Sequence, residues 1–203
     1  MDTGVFDLCN AARREGRVKI IACNRAWEMF DADVIHGCNT EFWHLWWGNG
    51  LAEHPADKWT TRQELEGVYP GLNYIEERWA DGLSTDPAYV HAHHGTGPQA
   101  VNLALHYGAR RILLVGWTMS YGPKMDPNDL RGTYIGKRRY LGEDTLTENH
   151  WPMTGPCGEF VGLIREMETI HPEAYGVEIW NCTPGSAMHC FKMENLDDAL
   201  AAP

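Results

Sequence analysis

Three histidines stand close together in the turn HAHHGTG, which starts at His91. Imidazole titrates near neutral pH without special tuning, so we predict that His93 or His94 acts as a general acid or base. The spacing of His91 and His93 is also found among metal ligands in extended chains. No cysteine or acidic residue stands near enough in the sequence to complete a tetrahedral set, so no metal site is predicted. The alternative is that these imidazoles are anion contacts or ordinary polar groups of a loop.

The glycine-containing turn that follows the histidines predicts a site for an anion. Gly95, Thr96, Gly97 and Gln99 offer bare backbone, a hydroxyl and an amide at the start of a predicted helix, whose first N–H groups attract negative charge. Gly97 is the expected N-cap and Pro98 the first helical residue. The alternative is a purely structural cap, since a single G-T-G is weaker than a full dinucleotide fingerprint and no P-loop is present.

The helix predicted behind this turn ends at Gly108, which supplies the left-handed residue after the last turn. Its polar stripe consists of Gln99, Asn102 and His106, and only Gln99 reaches the glycine turn. The other two residues are expected on the solvent side. The apolar run at 112–115 (ILLV) then predicts a strand buried on both faces, as in a parallel sheet.

Polar residues also follow two earlier predicted strands. The strand at 18–23 ends in Asn24, and the strand at 33–37 is followed by Asn39. Ligands of open parallel sheets bind outside the carboxyl ends of the strands. We therefore predict Asn24 and Asn39 as ligand contacts, together with Thr118 after the central strand.

An aromatic segment, residues 41–50 (EFWHLWWGNG), follows the second of these strands. We interpret it as a hydrophobic helix that covers the sheet and breaks at its glycines. A platform on which bases stack is the alternative.

A long segment, residues 120–158, is rich in glycine, proline and charge and has no sustained period. A loop of this length inside a compact domain is often a functional lid. Its basic residues include Arg138, which we predict to contact phosphate, and its His150 would serve as an acid or base if it reached the sheet edge. A solvated basic surface and a plain loop histidine are the alternatives.

The composition indicates one globular domain over residues 1–203. No apolar run approaches the roughly 20 residues that span a bilayer, and the first residues lack the features of a signal peptide. We therefore expect a soluble, cytoplasmic protein with no membrane partner. The 6 cysteines form no C-x-x-C pair and are expected as reduced thiols. A formal net charge of -11 argues against binding to duplex nucleic acid.

Strand and helix patterns alternate along the chain. This order predicts a Rossmann-like α/β fold, with a doubly wound, mostly parallel sheet and helices on both faces. Further helices are predicted at residues 5–15, 160–170 and 195–201, and further strands at residues 89–91 and 176–182. The residues between 57 and 79 give only weak strand signals.

Three patches taken together resemble a known family: IIACNRAWEMFDADVIHGCNTEFWHLWW, then HGTGPQAVNLALHYGARRILLVGWTM, then ENHW with the late NCTPGSAMHCFKMENLDDAL. Most of the chain is similar to small phage and prophage proteins related to the archaeal 6-hydroxymethylpterin diphosphokinase-like family and, more distantly, to Rossmann-like bacterial sialyltransferases. The family's middle patch reads G-N-S-G-x-Q-A. Gly95, Thr96, Gly97 and Gln99 match that loop, and Asn24 matches the asparagine after the first strand.

The chain departs from the family pattern in two respects. The family's opening strand and its G-x-G-P-S-L phosphate loop have no counterpart, because the chain begins at what would be the following helix. Asn39 and Thr118 stand where the family carries aspartates, the carboxylates that would hold Mg²⁺ or act as a base. The resemblance implies a nucleotide or another pyrophosphate-bearing ligand, with Mg²⁺ expected only in company with a nucleotide.

Two hypotheses follow for the function. The first is a nucleotide- or phosphometabolite-binding protein of transferase ancestry, which would transfer a glycosyl or pyrophosphoryl group with His93, His94 or His150 as acid or base. The second is a catalytically silent phage protein that sequesters a small nucleotide or serves as a virion or assembly component. In both, the expected partner is a small anionic ligand such as a nucleotide or nucleotide sugar. Homo-oligomerisation, with the missing first strand supplied by a second copy, stays open.

Overall fold

The computed structural model describes residues 3–92, 95–119 and 158–202, over which helices and strands alternate. The helices are α1 (Thr3–Arg14), α2 (Thr40–Trp46), α3 (Thr96–His106), α4 (Gly158–Glu168) and α5 (Leu196–Ala201). The strands are β1 (Ile21–Cys23), β2 (Val34–His36), β3 (Asp57–Thr60), β4 (Leu72–Tyr74), β5 (Glu76–Arg78), β6 (Tyr89–His91), β7 (Arg111–Leu114), β8 (Glu178–Asn181) and β9 (Lys192–Met193). Short 3₁₀ turns cover Asn24–Glu28, Gln63–Leu65 and Pro172–Tyr175, and a π-helical turn covers Trp47–Leu51.

All the strand pairings described are parallel. Strands β1, β2, β3 and β4 lie side by side in that order, β5 pairs with β6, and β7, β8 and β9 form a third group. Only Ile75 separates β4 from β5, so one extended segment pairs first with β3 and then with β6. Parallel strands need crossover connections, which the intervening helices supply. The prediction of an α/β protein with a mostly parallel sheet is confirmed.

Helices cover both faces of the four-stranded sheet, because successive side chains of a strand point to opposite sides. On one face Ile35 of β2 packs with Phe42 and Trp43 of α2, all of them fully buried. On the other face the neighbouring His36 contacts Gln99 of α3. The aromatic segment at 41–50 therefore forms a helix over the sheet, as interpreted from the sequence.

Helix α3 runs antiparallel to the strands that it covers. Its last turn lies over the start of β3, where the hydroxyl of Tyr107 donates to Asp57 and accepts from the indole N–H of Trp59, both at 2.9 Å. Its first turn lies over the end of β2, where Thr96 contacts Cys38. The first N–H groups of α3 are therefore at the carboxyl edge of the sheet.

The two ends of α3 differ in how well the sequence predicts them. The left-handed Gly108, with φ of +80°, confirms the predicted end. The prediction of Gly97 as N-cap is wrong: the N-cap is Gly95, with φ of 80° and ψ of 174°, and the helix begins at Thr96. Glycine at 95 supplies a positive φ that other residues rarely adopt.

The polar stripe of α3 faces the protein interior, so the prediction of a solvent side for Asn102 is wrong. Asn102 is 0% exposed. Its side-chain oxygen accepts from the main-chain N–H groups of Ser84 (2.8 Å) and His91 (2.9 Å), and its amide donates to the carbonyl of Ser84 (2.9 Å). A buried polar side chain is stable only when such partners satisfy it, and here it fixes the loop before β6.

A second core lies between α3, α4 and the sheet of β7 and β8. It is built from the buried residues Leu83, Val101, Ile112, Leu114, Met167, Ile170, Val177, Ile179, Met188 and Phe191. Ile112 and Leu114 are buried, while Leu113 between them is half-buried, so only one face of β7 is fully covered. The prediction of a strand buried on both faces is wrong for the face of Leu113. None of the helices within the described ranges has the length and apolar character that a membrane crossing requires.

Candidate functional site

The carboxyl ends of β1, β2 and β3 meet the first turn of α3. We call this region, consisting of Cys23, Asn24, Cys38, Thr61 and Thr96, the α3 edge. Cys38 Sγ and Thr96 Oγ1 lie 3.0 Å apart, and Cys38 is close enough to Cys23 to raise the pKa of the Cys23 thiol. The structure therefore places the end of β1, which Asn24 follows, near the start of α3.

The first turn of α3 presents main-chain donors. The N–H groups of Thr96 and Gly97 have no hydrogen-bond partner among the residues that the structure describes. In an 11-residue helix these groups carry the positive end of the helix dipole. They are the groups that bind phosphate or carboxylate oxygens in other helices that begin at a sheet edge.

The side chains of Thr96 and Gln99 are directed into the protein. Thr96 is engaged with Cys38, and Gln99 is 1% exposed with its amide 2.7 Å from Nε2 of His36. These two residues were predicted as ligand contacts. In this arrangement Thr96 can reach a ligand through its main chain, while the Gln99 side chain holds α3 against β2.

His36 lies beneath the start of α3 and is fully buried. Burial lowers the pKa of His36 to about 4, although its contacts with Gln99 and with the carbonyl of Trp59 act in the opposite direction. Nδ1 of the ring lies 3.0 Å from the Trp59 carbonyl oxygen, and Nε2 lies 2.7 Å from Oε1 of Gln99. The neutral ring carries one proton and donates it to one of these two oxygens. His36 thus positions the helix and does not face solvent as an acid or base.

Two apolar side chains wall the glycine turn. A Cβ on Gly97 would lie 2.5 Å from Cη2 of Trp117, and a Cβ on Gly95 would lie 3.6 Å from Cδ2 of Leu163. The predicted role of Gly97 was backbone approach to a ligand, and the structure adds another reason for glycine, which is the close contact with the indole ring. Trp117 and Leu163 thus occupy the space into which a side chain at Gly97 or Gly95 would point.

Two oxygens of the α3 edge are buried without a hydrogen-bond partner in the described part of the chain, Oδ1 of Asn24 and Oγ1 of Thr61. Asn24 adopts a left-handed backbone conformation, with φ of 51°, directly after β1. Leaving a buried polar group unpaired costs about 1–3 kcal/mol. An unpaired buried oxygen in a native structure needs an explanation, and one explanation is that a bound ligand supplies the partner.

Two opposite charges stand close to Cys38 of the α3 edge. Nε of Arg62 donates to the carbonyl of Cys38, and the carboxylate of Glu77 is close enough to Cys38 to disfavour its thiolate. Sequence reasoning missed Thr61, Arg62 and Glu77, which follow or occupy the weakly patterned strands β3 and β5. For Thr61 and Arg62 the available signal was their position after β3, at the edge where polar residues were already expected after β1 and β2. No comparable signal marks Glu77, which lies within β5.

The two thiols of the α3 edge are neutral at physiological pH. Burial raises the pKa of Cys38, although the contacts with Thr96 and Arg62 oppose the change, and burial together with Cys38 raises the pKa of Cys23 to about 12. Because the thiolate is the reactive form, neither cysteine is prepared to act as a nucleophile.

Asn39 and Thr118, two further predicted ligand contacts, have other surroundings. Asn39 is the half-buried N-cap residue of α2. Thr118 is exposed, its carbonyl accepts from the N–H of Ala187 at 2.9 Å, and only its neighbour Trp117 reaches the glycine turn. The predicted residues His93, His94, Arg138 and His150, and residues 120–157 of the predicted lid, lie outside the described ranges.

No cluster of three or more metal-ligating side chains occurs in residues 3–92, 95–119 and 158–202. The Asn39 and Thr118 positions supply amide and hydroxyl oxygens, where the resembled family has carboxylates. The described residues therefore do not form a carboxylate cage for Mg²⁺, and the expectation of Mg²⁺ stays with a nucleotide.

A separate open groove of about 530 Å³ lies between α1, the end of β8 and α5. It is lined by Gly4, Val5, Leu8, Cys182, Thr183, Pro184, Met193, Glu194, Asn195, Leu196 and Asp197. Its Glu194 carboxylate is paired with Lys192 at 2.7 Å. Among the described residues, two buried side-chain oxygens without a hydrogen-bond partner lie at the α3 edge and none lines the groove, so we take the α3 edge as the candidate site.

The chain matches no family model, no curated protein and no solved structure. The chemistry of the α3 edge is therefore what bears on function: main-chain donors at a helix start, an arginine, and buried oxygens that lack partners.

Proposed function

We propose that this protein binds a nucleotide or another phosphate-bearing metabolite at the α3 edge. The observation that carries the proposal is the pair of main-chain N–H groups at Thr96 and Gly97, which have no partner in the described chain and stand at the start of α3. A phosphate oxygen accepting from both would be held by charge-assisted hydrogen bonds and by the helix dipole.

Arg62 supports the same assignment. Its guanidinium is anchored through Nε to the Cys38 carbonyl, which leaves it beside the start of α3. An anchored guanidinium can pair with phosphate through its remaining N–H groups at little entropic cost. In a chain of net charge -11, a cation at this edge gives a local preference for an anionic ligand.

The finer parts of the proposal follow from the family resemblance. We propose a Rossmann-like, doubly wound domain of transferase ancestry in a phage-type protein. As an enzyme it would transfer a glycosyl or pyrophosphoryl group, with His93, His94 or His150 as acid or base. The location would be the cytoplasm of the host cell.

A second candidate function is a catalytically silent protein that sequesters a small nucleotide or serves in virion assembly. The observation that favours it is the chemistry at Asn39 and Thr118, which offer no carboxylate to hold Mg²⁺ or accept a proton. Under this alternative the same ligand binds at the α3 edge and is released without chemical change.

The proposal can be tested by removing one main-chain donor. Thr96→Pro deletes the N–H at the first helical position, where proline is well tolerated, and also deletes the hydroxyl that contacts Cys38. Thr96→Val deletes only the hydroxyl and is the matched control. Binding of pyrophosphate and of nucleoside diphosphates would be measured by calorimetry for both variants.

We expect Thr96→Val to bind as the wild type does and Thr96→Pro to bind at least tenfold more weakly, since a hydrogen bond to a charged group contributes about 1.5–3 kcal/mol. Equal affinity of the two variants would contradict the proposal, as would failure of the wild type to bind any probe. Incubation of the bound nucleotide with and without Mg²⁺ then separates the candidates, because only a transferase converts it in the presence of an acceptor.

A further inference from the structure

Thr61 is a buried hydroxyl that the fold leaves without an assigned role. It is 7% exposed, and its Oγ1 has no hydrogen-bond partner in the described ranges. Asp57 and Trp59 of β3 both contact Tyr107 of α3, and Thr61 directly follows the last residue of that strand. Because α3 runs antiparallel to β3, Thr61 lies toward the helix start, where the phosphate donors are.

Two further acceptors stand at this edge of the sheet. Oδ1 of Asn24 is buried and has no described partner, directly after β1. Glu77 follows Ile75, which packs with Leu103 of α3, so the alternation of side chains along the strand directs Glu77 toward the α3 face near Cys38. The subsite thus has an amide oxygen, a carboxylate and a hydroxyl, all able to accept hydrogen bonds.

Such a set of groups does not suit phosphate. Phosphate oxygens are acceptors and carry negative charge, so a carboxylate and an amide oxygen repel them. Hydroxyl groups of a sugar are donors as well as acceptors and pair with carboxylate and amide oxygens. The donors at Thr96 and Gly97 and the acceptors at Asn24, Thr61 and Glu77 therefore call for two different parts of one ligand.

We infer that Thr61, Asn24 and Glu77 form a subsite for the hydroxyl groups of a sugar ring, whose attached phosphate lies at the start of α3. This inference rests on the proposed function and adds the class of ligand, a sugar phosphate with free ring hydroxyls. The sugar is the ribose of a nucleotide or a phosphorylated hexose, since both offer the same hydroxyl chemistry.

Calorimetry with a matched set of probes tests the inference. The probes are ribonucleoside diphosphates, their 2′-deoxy counterparts, glucose 1-phosphate, 2-deoxyglucose 1-phosphate and inorganic pyrophosphate. The variants are Thr61→Val, which removes the hydroxyl at nearly constant shape, and Thr60→Val as control. Thr60 is fully buried on the opposite face of β3, where its Oγ1 accepts from the N–H of Arg62 at 3.2 Å.

We expect the wild type to prefer one hydroxyl-bearing probe over its deoxy counterpart by about fivefold, the typical value of one neutral hydrogen bond. Preference in the nucleotide pair identifies ribose, and preference in the hexose pair identifies a hexose. Thr61→Val should reduce this preference, and Thr60→Val should retain it.

Equal affinity of the wild type for pyrophosphate, the hydroxyl-bearing probes and the deoxy probes would overturn the sugar subsite while leaving the anion site in place. An equal loss of preference in Thr61→Val and Thr60→Val would also overturn it, because the effect would then not depend on the α3 face. If no probe binds at all, the proposed function fails first and the subsite fails with it.

Discussion

Acidification should weaken the fold through one buried histidine. Burial holds the pKa of His36 at about 4, below its ordinary value of 6.5. The unfolded chain therefore takes up a proton near pH 6.5, whereas the folded chain resists protonation until about pH 4. Stability from this residue is present above pH 6.5 and is lost as the pH falls toward 4. The gap between the two values corresponds to about 3 kcal/mol of unfolding free energy.

The assay is urea denaturation between pH 7 and pH 4, followed by circular dichroism. Carboxylates also titrate in the lower part of this range, so the quantity to compare is the loss of stability in the wild type minus the loss in His36→Gln, which keeps a polar group but cannot titrate. We expect a difference of about 3 kcal/mol, mostly developed below pH 6. The exposed His189, changed to Gln, is the matched control for a histidine-to-glutamine substitution at the surface.

A wild type and a His36→Gln variant that lose stability in parallel over this range would refute the reasoning. Such a result would mean that His36 is not held neutral beneath α3. The contact between His36 and Gln99, and with it the seating of the helix start over β2, would then be in error.

Three further predictions concern single substitutions. Thr61→Val should raise the unfolding free energy by about 1 kcal/mol, because it removes an unpaired buried hydroxyl, whereas Thr60→Val should lower it; a destabilised Thr61→Val would contradict this. Gly97→Ala should lower the free energy of unfolding by about 1–3 kcal/mol, because the added Cβ would clash with the Trp117 ring. Adding Trp117→Phe to this variant should restore part of the lost stability. An unchanged stability of Gly97→Ala would mean that the Trp117 ring moves aside without cost. Asn102→Leu should lower the free energy of unfolding by about 3 kcal/mol or more, since three main-chain groups lose their hydrogen-bond partner. A loss under about 1 kcal/mol in urea denaturation would contradict the role of Asn102 in fixing the loop before β6.

Local patterns in the sequence predict some of the elements around the site, although not β3, β5 or the first residue of α3. The β-strand at Tyr89–His91 and the end of α3 at Gly108 are found where the residue types predict them. These features depend on neighbouring residues alone: alternation in a strand, and a left-handed glycine after a helix. The placement of Asn24 at a strand end follows for the same reason.

The contacts between distant segments could not be predicted in this way. Asn102 looks like a solvent-facing residue of α3 until its partners, the main-chain groups of Ser84 and His91, are known. Thr61 and Glu77 gain their significance only from the register that places β3 and β5 beside the start of α3. Burial, which decides whether a polar residue is a ligand contact or an internal tie, arises from packing and not from the local sequence.

The central claim is that the N–H groups of Thr96 and Gly97 hold the anionic part of a ligand. The most direct measurement is a titration of ¹⁵N-labelled protein with pyrophosphate, in which backbone amide resonances are followed by NMR. We predict saturable downfield proton shifts at Thr96 and Gly97 that exceed those of amides elsewhere in the fold. Unmoved resonances at these two residues, while amides elsewhere respond to pyrophosphate, would contradict the claim.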